Sequence, residues 1–135
     1  MAQSLNCPEL EIINDDQMIV VEKTKDLIVK LIRTTDGDNR MNISDYLEQH
    51  LPYSYTYLSR IFTEYTHMGI EKFFILKKIE FVKELLTTSN LTLTEISYKS
   101  GYKSVAHLSK QFKNTTGFSP TRFRTLKQKM SASNK

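Results

Sequence analysis

Thr56, Ser59, Arg60 and Thr63 stand at i, i+3, i+4 and i+7 in the stretch that opens SYTYLSRIF, the spacing that lines one side of an α-helix. Fifty residues later, behind SVAHLSKQF, Ala106, Ser109, Lys110 and Lys113 stand at the same spacing. Small or hydroxylated side chains beside one cation do no covalent chemistry. They donate and accept hydrogen bonds, pair with charge, and allow a helix to approach an extended polar surface closely. Base edges and phosphates of a duplex major groove are the surface that suits this set. Any solvated helix face is polar, and for one such helix alone that plainer reading is favoured. The repetition and the distribution of charge weigh the other way.

The net charge of +4 hides a gradient. Residues 1–40 hold eight acidic and five basic side chains and residues 41–86 six and five, whereas residues 87–135 hold one acidic residue, Glu95, against nine basic ones. So lopsided a block favours a polyanionic partner, nucleic acid or an anionic membrane surface. Other chemistries lack their parts. Cys7 is the single cysteine, with no partner for a disulfide and no neighbours at zinc-ligand spacing. His50, His67 and His107 are scattered, the carboxylates are not clustered as a hydrolytic site requires, and no glycine-rich loop precedes a helix. No active site, metal site, cofactor site or small-molecule site is expected, and the chain is read as non-enzymatic. No window reaches the ~20 continuous apolar residues of a membrane span, and the N-terminus has no secretory pattern. A cytoplasmic protein without membrane association is expected.

These side chains need helices to position them, and the sequence supplies the signals. Residues 1–17 are expected as a loose tail, or the remnant of an upstream segment that includes ELEII. From Met18 the apolar residues Ile19, Val20, Leu27, Ile28 and Leu31 recur at a helical period, and TTDGDN stops them. Asn42 and Asp45 open a second helix that Pro52 closes. Ser54 caps a third, with His67 at its turn, and a long helix from Gly69 is apolar at Phe73, Phe74, Leu76, Ile79, Val82, Leu85 and Leu86. Thr92 and Glu95 form a capping box, Gly101 ends that short helix, Ser104 caps the next as far as Gly117, and Ser119-Pro120 start the last. The expected fold is all-α: two helix-turn-helix subdomains, 18–87 with its connector helix and 88–135 with a basic tail.

The repeat is wider than the two opening stretches. At an offset of fifty, Asn42 pairs with Thr92, Asp45 with Glu95, Ser54 with Ser104, Leu58 with Leu108, Arg60 with Lys110, Phe62 with Phe112 and Thr66 with Thr116. Leu58, Ile61, Phe62 and Tyr65, like Leu108 and Phe112, share the face opposite the polar one and are read as packing positions. A continuous connector would span ~27 Å at ~1.5 Å per residue, and successive major grooves on one DNA face lie ~34 Å apart. A single chain could thus meet two grooves.

LTEISYKSGYKSVAHLSKQFKNTTGFSPTRFR, together with YLSRIF and the connector, resembles the DNA-binding domain of AraC-type transcriptional regulators over about Asn42 to Arg124. The resemblance implies two helix-turn-helix subdomains joined by a long helix, with helices at about 55–66 and 105–116 in adjacent major grooves of double-stranded DNA. Carried over by position, Thr56, Ser59 and Arg60 face bases from the first, and Val105, Ala106, His107, Ser109 and Lys110 from the second. Ser54, Thr63, Lys103, Ser104, Lys113, Arg122 and Arg124 are expected at phosphates, with a structural ion pair as the alternative for Arg124. Three positions depart from the family: His67 in place of Gly, Val82 in place of a small residue, and Lys78 in place of Arg. The implied function is that of a bacterial transcription regulator, and RNA polymerase is a further partner considered. The alternative is a helical module acting on RNA polymerase or a partner regulator, with weak DNA binding. The forty residues before the match are too few for an effector domain with its own core, so the chain is expected to be a short regulator or the C-terminal piece of a longer one.

Overall fold

The computed structural model describes residues 14–34 and 42–133. The expectations for Cys7, for the ELEII run and for the Asp-Gly stop fall outside these residues. Seven helices follow one another: α1 Asp15–Thr34, α2 Ile43–His50, α3 Tyr55–Thr66, α4 Ile70–Thr88, α5 Leu93–Lys99, α6 Val105–Thr116 and α7 Pro120–Ser133. There is no strand among the described residues, and the all-α reading holds.

The chain forms two compact units. Among the described residues the first takes α1 as far as Lys30, α2, α3 and α4 as far as Phe74; the second takes α1 from Leu31, α4 from Ile75, and α5 to α7.

In the first unit α1 starts at Asp15, three residues before the expected Met18. The cause is a reciprocal cap: the Gln17 amide N–H donates to Asn14 Oδ1 at 2.8 Å and the Asn14 N–H donates to Gln17 Oε1 at 3.2 Å. Asp15 and Asp16 then sit in the first turn, where the helix dipole favours negative charge. The inward face of α1 carries Val21, Thr24 and Ile28, while Ile19, expected on the apolar face, is 54% exposed. Thr24 fits the core because its hydroxyl donates to Val20 O at 2.8 Å. Asn42 caps α2 by accepting from Ser44 N at 2.8 Å, and Leu47, Leu58, Ile61, Phe62 and Ile70 complete a buried set.

In the second unit Ile79, Val82 and Leu86 of α4 pack with Ile96, Tyr102, Leu108 and Phe112. The Thr92–Glu95 capping box forms as read. α5 ends in a paired closure: the Gly101 N–H donates to Tyr98 O and the Tyr102 N–H to Ser97 O, with Gly101 at φ 82°. This pair of hydrogen bonds to the last turn needs a left-handed residue, which glycine supplies without a Cβ clash. The end of α1 joins this unit through Arg33, which donates to Glu84 at 2.6 and 3.3 Å and lies over the Phe81 ring at 5.1 Å.

The repeat extends to the corners behind α3 and α6. Thr66 Oγ1 donates to Phe62 O at 2.7 Å and accepts from Met68 N at 3.2 Å; Thr116 Oγ1 donates to Phe112 O at 2.9 Å and accepts from Phe118 N at 3.1 Å. Next in each copy is a left-handed residue, His67 at φ 61° and Gly117 at φ 88°. Histidine holds that conformation against its own Cβ. His67→Gly should therefore raise the unfolding free energy by about 0.5–1 kcal/mol and Gly117→Ala lower it by about 1 kcal/mol, read as opposite shifts of the urea midpoint. Equal shifts would refute the strain.

The Arg33 hydrogen bond holds the Glu84 carboxyl below its ordinary range. A carboxylate whose folded pKa is depressed adds stability above its unfolded pKa and loses it as pH falls through the folded one. Both side chains are about half exposed, so screening keeps the contribution small. The stability gap between the parent and Glu84→Gln should be present at pH 7 and close below about pH 4; a gap unchanged at pH 3 would remove the ion pair from the account.

Candidate nucleic-acid interface

α3 and α6 each begin at a serine whose oxygen holds the first turn. Ser54 Oγ accepts from Tyr57 N at 3.1 Å and Ser104 Oγ from His107 N at 3.0 Å. Accepting leaves each hydroxyl hydrogen as a donor at a helix N-terminus, where anions are favoured. In α3 Leu58, Ile61 and Phe62 are buried; in α6 Leu108 and Phe112 are. The opposite faces are thereby turned to solvent. Thr56, Arg60 and Thr63 are exposed on α3, and Ala106, His107, Lys110 and Lys113 on α6.

Some of the expected residues sit differently. Ser59 and Ser109 are half-buried at the edge of the exposed face, and so is Val105. Beside Ser59 the Tyr55 phenol donates to Glu71 Oε2 at 3.5 Å, and burial pushes it above its ordinary pKa. Arg60 Nη1 donates to Glu64 Oε1 at 3.3 Å, and its guanidinium lies over the Tyr57 ring at 5.3 Å.

Arg124 is a correction. It was expected at a phosphate, but Nε donates to Leu86 O at 2.9 Å, Nη1 to Leu91 O at 2.8 Å and Nη2 to Ser89 O at 3.2 Å. Leu86 belongs to the last turn of α4, whose carbonyls lack partners within the helix and carry the negative end of its dipole, and Ser89 and Leu91 follow in the segment just beyond it. The guanidinium caps that end and fastens α7 to it. The alternative of an ion pair had the structural role right and the acceptor wrong, since the partners are carbonyl oxygens.

Behind α6 lies a cluster that the sequence reading did not assemble. The buried Tyr102 hydroxyl donates to Gln111 Oε1 at 2.6 Å, Lys78 Nζ lies 4.1 Å from the centre of its ring, and the His107 ring meets it edge-on at 5.2 Å. Burial pushes the Tyr102 phenol well above its ordinary pKa, so the hydroxyl keeps its proton. Lys78 thus supports the base of α6 from within the second unit. Gln111 in turn lines an open groove of about 370 Å³ with Ile75, His107, Lys110, Asn114 and Thr115. The polarity of this side of the molecule is positive: between residues 93 and 133 the sole carboxylate is Glu95, and it is bound to the Thr92 N–H at 2.8 Å. Lys103, Lys113 and Arg122 are exposed around α6. Among the described residues no group of three or more His, Cys, Asp or Glu is placed to hold a metal ion, and no helix is long and apolar enough to cross a membrane.

Two capped helices with matching buried and exposed faces, each preceded by a short helix and a turn, define a tandem helix-turn-helix. A family model described as "Helix-turn-helix domain" matches residues 47–126, and the chain belongs to this AraC-type helix-turn-helix family. It is similar to the Msm operon regulatory protein of Streptococcus mutans, with 30% identity over 97 residues, 72% of this chain and 34% of that protein. Among solved structures it resembles the C-terminal domain of AraT, a response regulator from Geobacillus stearothermophilus, at a TM-score of 0.70 and 24% identity over 79% of this chain and 84% of that one. It also resembles the DNA-binding domain of AdpA, a global transcriptional factor solved in complex with a target DNA, at a TM-score of 0.59 and 20% identity over 84% and 93% of the two chains. The chain spans 17% to 34% of the length of curated relatives it matches.

Arg124→Ala should lower the unfolding free energy by about 2–3 kcal/mol, because charge-assisted bonds to several helix-end carbonyls are lost together. A urea titration showing a loss below about 0.5 kcal/mol would return Arg124 to the surface.

Proposed function

We propose that this chain is a sequence-specific, duplex-DNA-binding transcriptional regulator of bacterial type, in which α3 and α6 each enter a major groove and the two grooves are adjacent. The observation that carries the reading is the duplicated recognition helix: both copies share the serine cap, the buried leucine and phenylalanine, and a short polar face that ends in exposed cations or hydroxyls. Membership of the helix-turn-helix family and the regulatory names of its relatives support it. In this reading Thr56 and Arg60 meet base edges from α3, with Ser59 at their flank. His107, Ser109 and Lys110 do so from α6, where Val105 and Ala106 offer apolar contact of the kind a thymine methyl accepts. Ser54, Thr63, Lys103, Ser104, Lys113 and Arg122 hold phosphates. The protein works without a chemical step of its own, in the cytoplasm, and acts on transcription through RNA polymerase.

Selection of bound duplexes from a random pool should enrich two short blocks about one helical turn, or ~10 base pairs, apart. On the selected duplex Arg60→Ala should lose about 1–3 kcal/mol and relax preference at one or two base pairs. Lys113→Ala should weaken all sequences alike and reduce the salt slope by about one. No enrichment, with weak and sequence-blind binding at every salt concentration, would refute the reading.

A further inference from the structure

The two recognition helices match in register but not in charge. On α3 Arg60 is followed one turn later by Glu64, and the guanidinium Nη1 lies 3.3 and 3.4 Å from the two carboxylate oxygens. Tyr57, one turn earlier, supports the guanidinium plane from below. Fifty residues on, the same three places hold His107, Lys110 and Asn114. Helix α3 therefore carries one cation already matched by one carboxylate. Helix α6 carries Lys110 and Lys113 with no carboxylate.

We infer that Glu64 is a specificity-determining residue: it holds Arg60 as a reader of base edges and withholds its charge from phosphates, so that α3 discriminates with little phosphate affinity of its own, while α6, with cations and no carboxylate, adds charge-driven affinity to its base contacts. The inference rests on the DNA-binding reading above. The physical argument turns on what each acceptor requires of the pair. A phosphate bound by Arg60 comes to lie beside the Glu64 carboxylate, and the two anions repel. A guanine edge brings no such charge: O6 and N7 are neutral acceptors of two N–H groups, and the guanidinium has five. One of those on Nη1 can stay on Glu64. At sequences that offer no such edge the carboxylate meets acceptors and phosphates without compensation, and this repulsion rejects the wrong duplex. Glu64 is a positioning residue, since it acts through Arg60.

The test compares dissociation constants for a selected duplex and a scrambled one, across several salt concentrations, in the parent chain, Glu64→Gln, Glu64→Asp and Asn114→Asp. Glu64→Gln should tighten the scrambled duplex by about three- to tenfold, leave the selected one within about twofold, and steepen the salt slope on the scrambled duplex by about one. Glu64→Asp, which keeps the charge, should restore most of the ratio between the two duplexes. Asn114→Asp should place the same restraint beside Lys110 and weaken the scrambled duplex more than the selected one. An exposed ion pair adds little to folding, so thermal midpoints should stay together and report that the fold is intact. Equal tightening of both duplexes by Glu64→Gln would overturn the inference, as would no change in either. A parent chain that binds both duplexes alike fails at an earlier point, the DNA-binding reading itself, because there is then no ratio for Glu64 to set.

Discussion

α3 and α6 are each held in place by one buried phenylalanine. Phe62 meets Phe73 edge-on with ring centres 5.3 Å apart, and Phe112 meets Phe123 edge-on at 5.4 Å. Both Phe62 and Phe112 are wholly buried, and such pairs favour an edge-to-face arrangement for electrostatic as well as packing reasons. The partner phenylalanine belongs in each case to the next helix, so the chain has to turn sharply just after the recognition helix. That requirement explains the corner: a threonine that bridges back to the phenylalanine carbonyl, then a left-handed residue, then a new helix. With the inner face committed to this contact, Thr56, Arg60 and Thr63 on α3 and Ala106, Lys110 and Lys113 on α6 are turned outward, while Ser59 and Ser109 stay at the edge.

The two copies share this scaffold and differ in what they display. The first unit tolerates a histidine in the left-handed corner and ties Arg60 to Glu64 and Tyr55 to Glu71. In the second unit a glycine takes the corner, one capping glutamate is the carboxylate of the whole 93–133 stretch, and Tyr102 underpins α6 through Gln111 and His107. Duplication preserved the packing because large buried rings leave little freedom. The outer faces were open to change because a solvated position is constrained only by what it touches.

Local features were legible where the relevant interaction spans a few residues. Ser54, Asn42, Thr92 with Glu95, Gly101, and Ser104 each announce a helix end by a side chain or a backbone freedom that acts within one turn, and all five act where the sequence places them. The Asn14–Gln17 cap is equally local, but Asp15 and Asp16 after it resemble a solvated tail, and the expected start at Met18 falls three residues late. Ile19 fits the apolar period yet points to solvent, because periodicity gives the width of a stripe and not its centre.

Arg124 marks the boundary of what the sequence can say. Its place in a basic block, two residues from Arg122, gives it the profile of a phosphate contact. Only when α7 lies against the end of α4 do unpaired carbonyls from residues 86, 89 and 91 come within its reach, and a half-buried guanidinium must satisfy them. Lys78 and Tyr102 were likewise separated by a helix and a turn before folding brought the ammonium over the ring. The sequence by itself determined the helices, their caps, the repeat and the family, since those follow from short-range hydrogen bonding and from periodicity. Tertiary structure alone decided which cations face outward and which serve the fold, because a side chain's charge finds its partner through space and not along the chain.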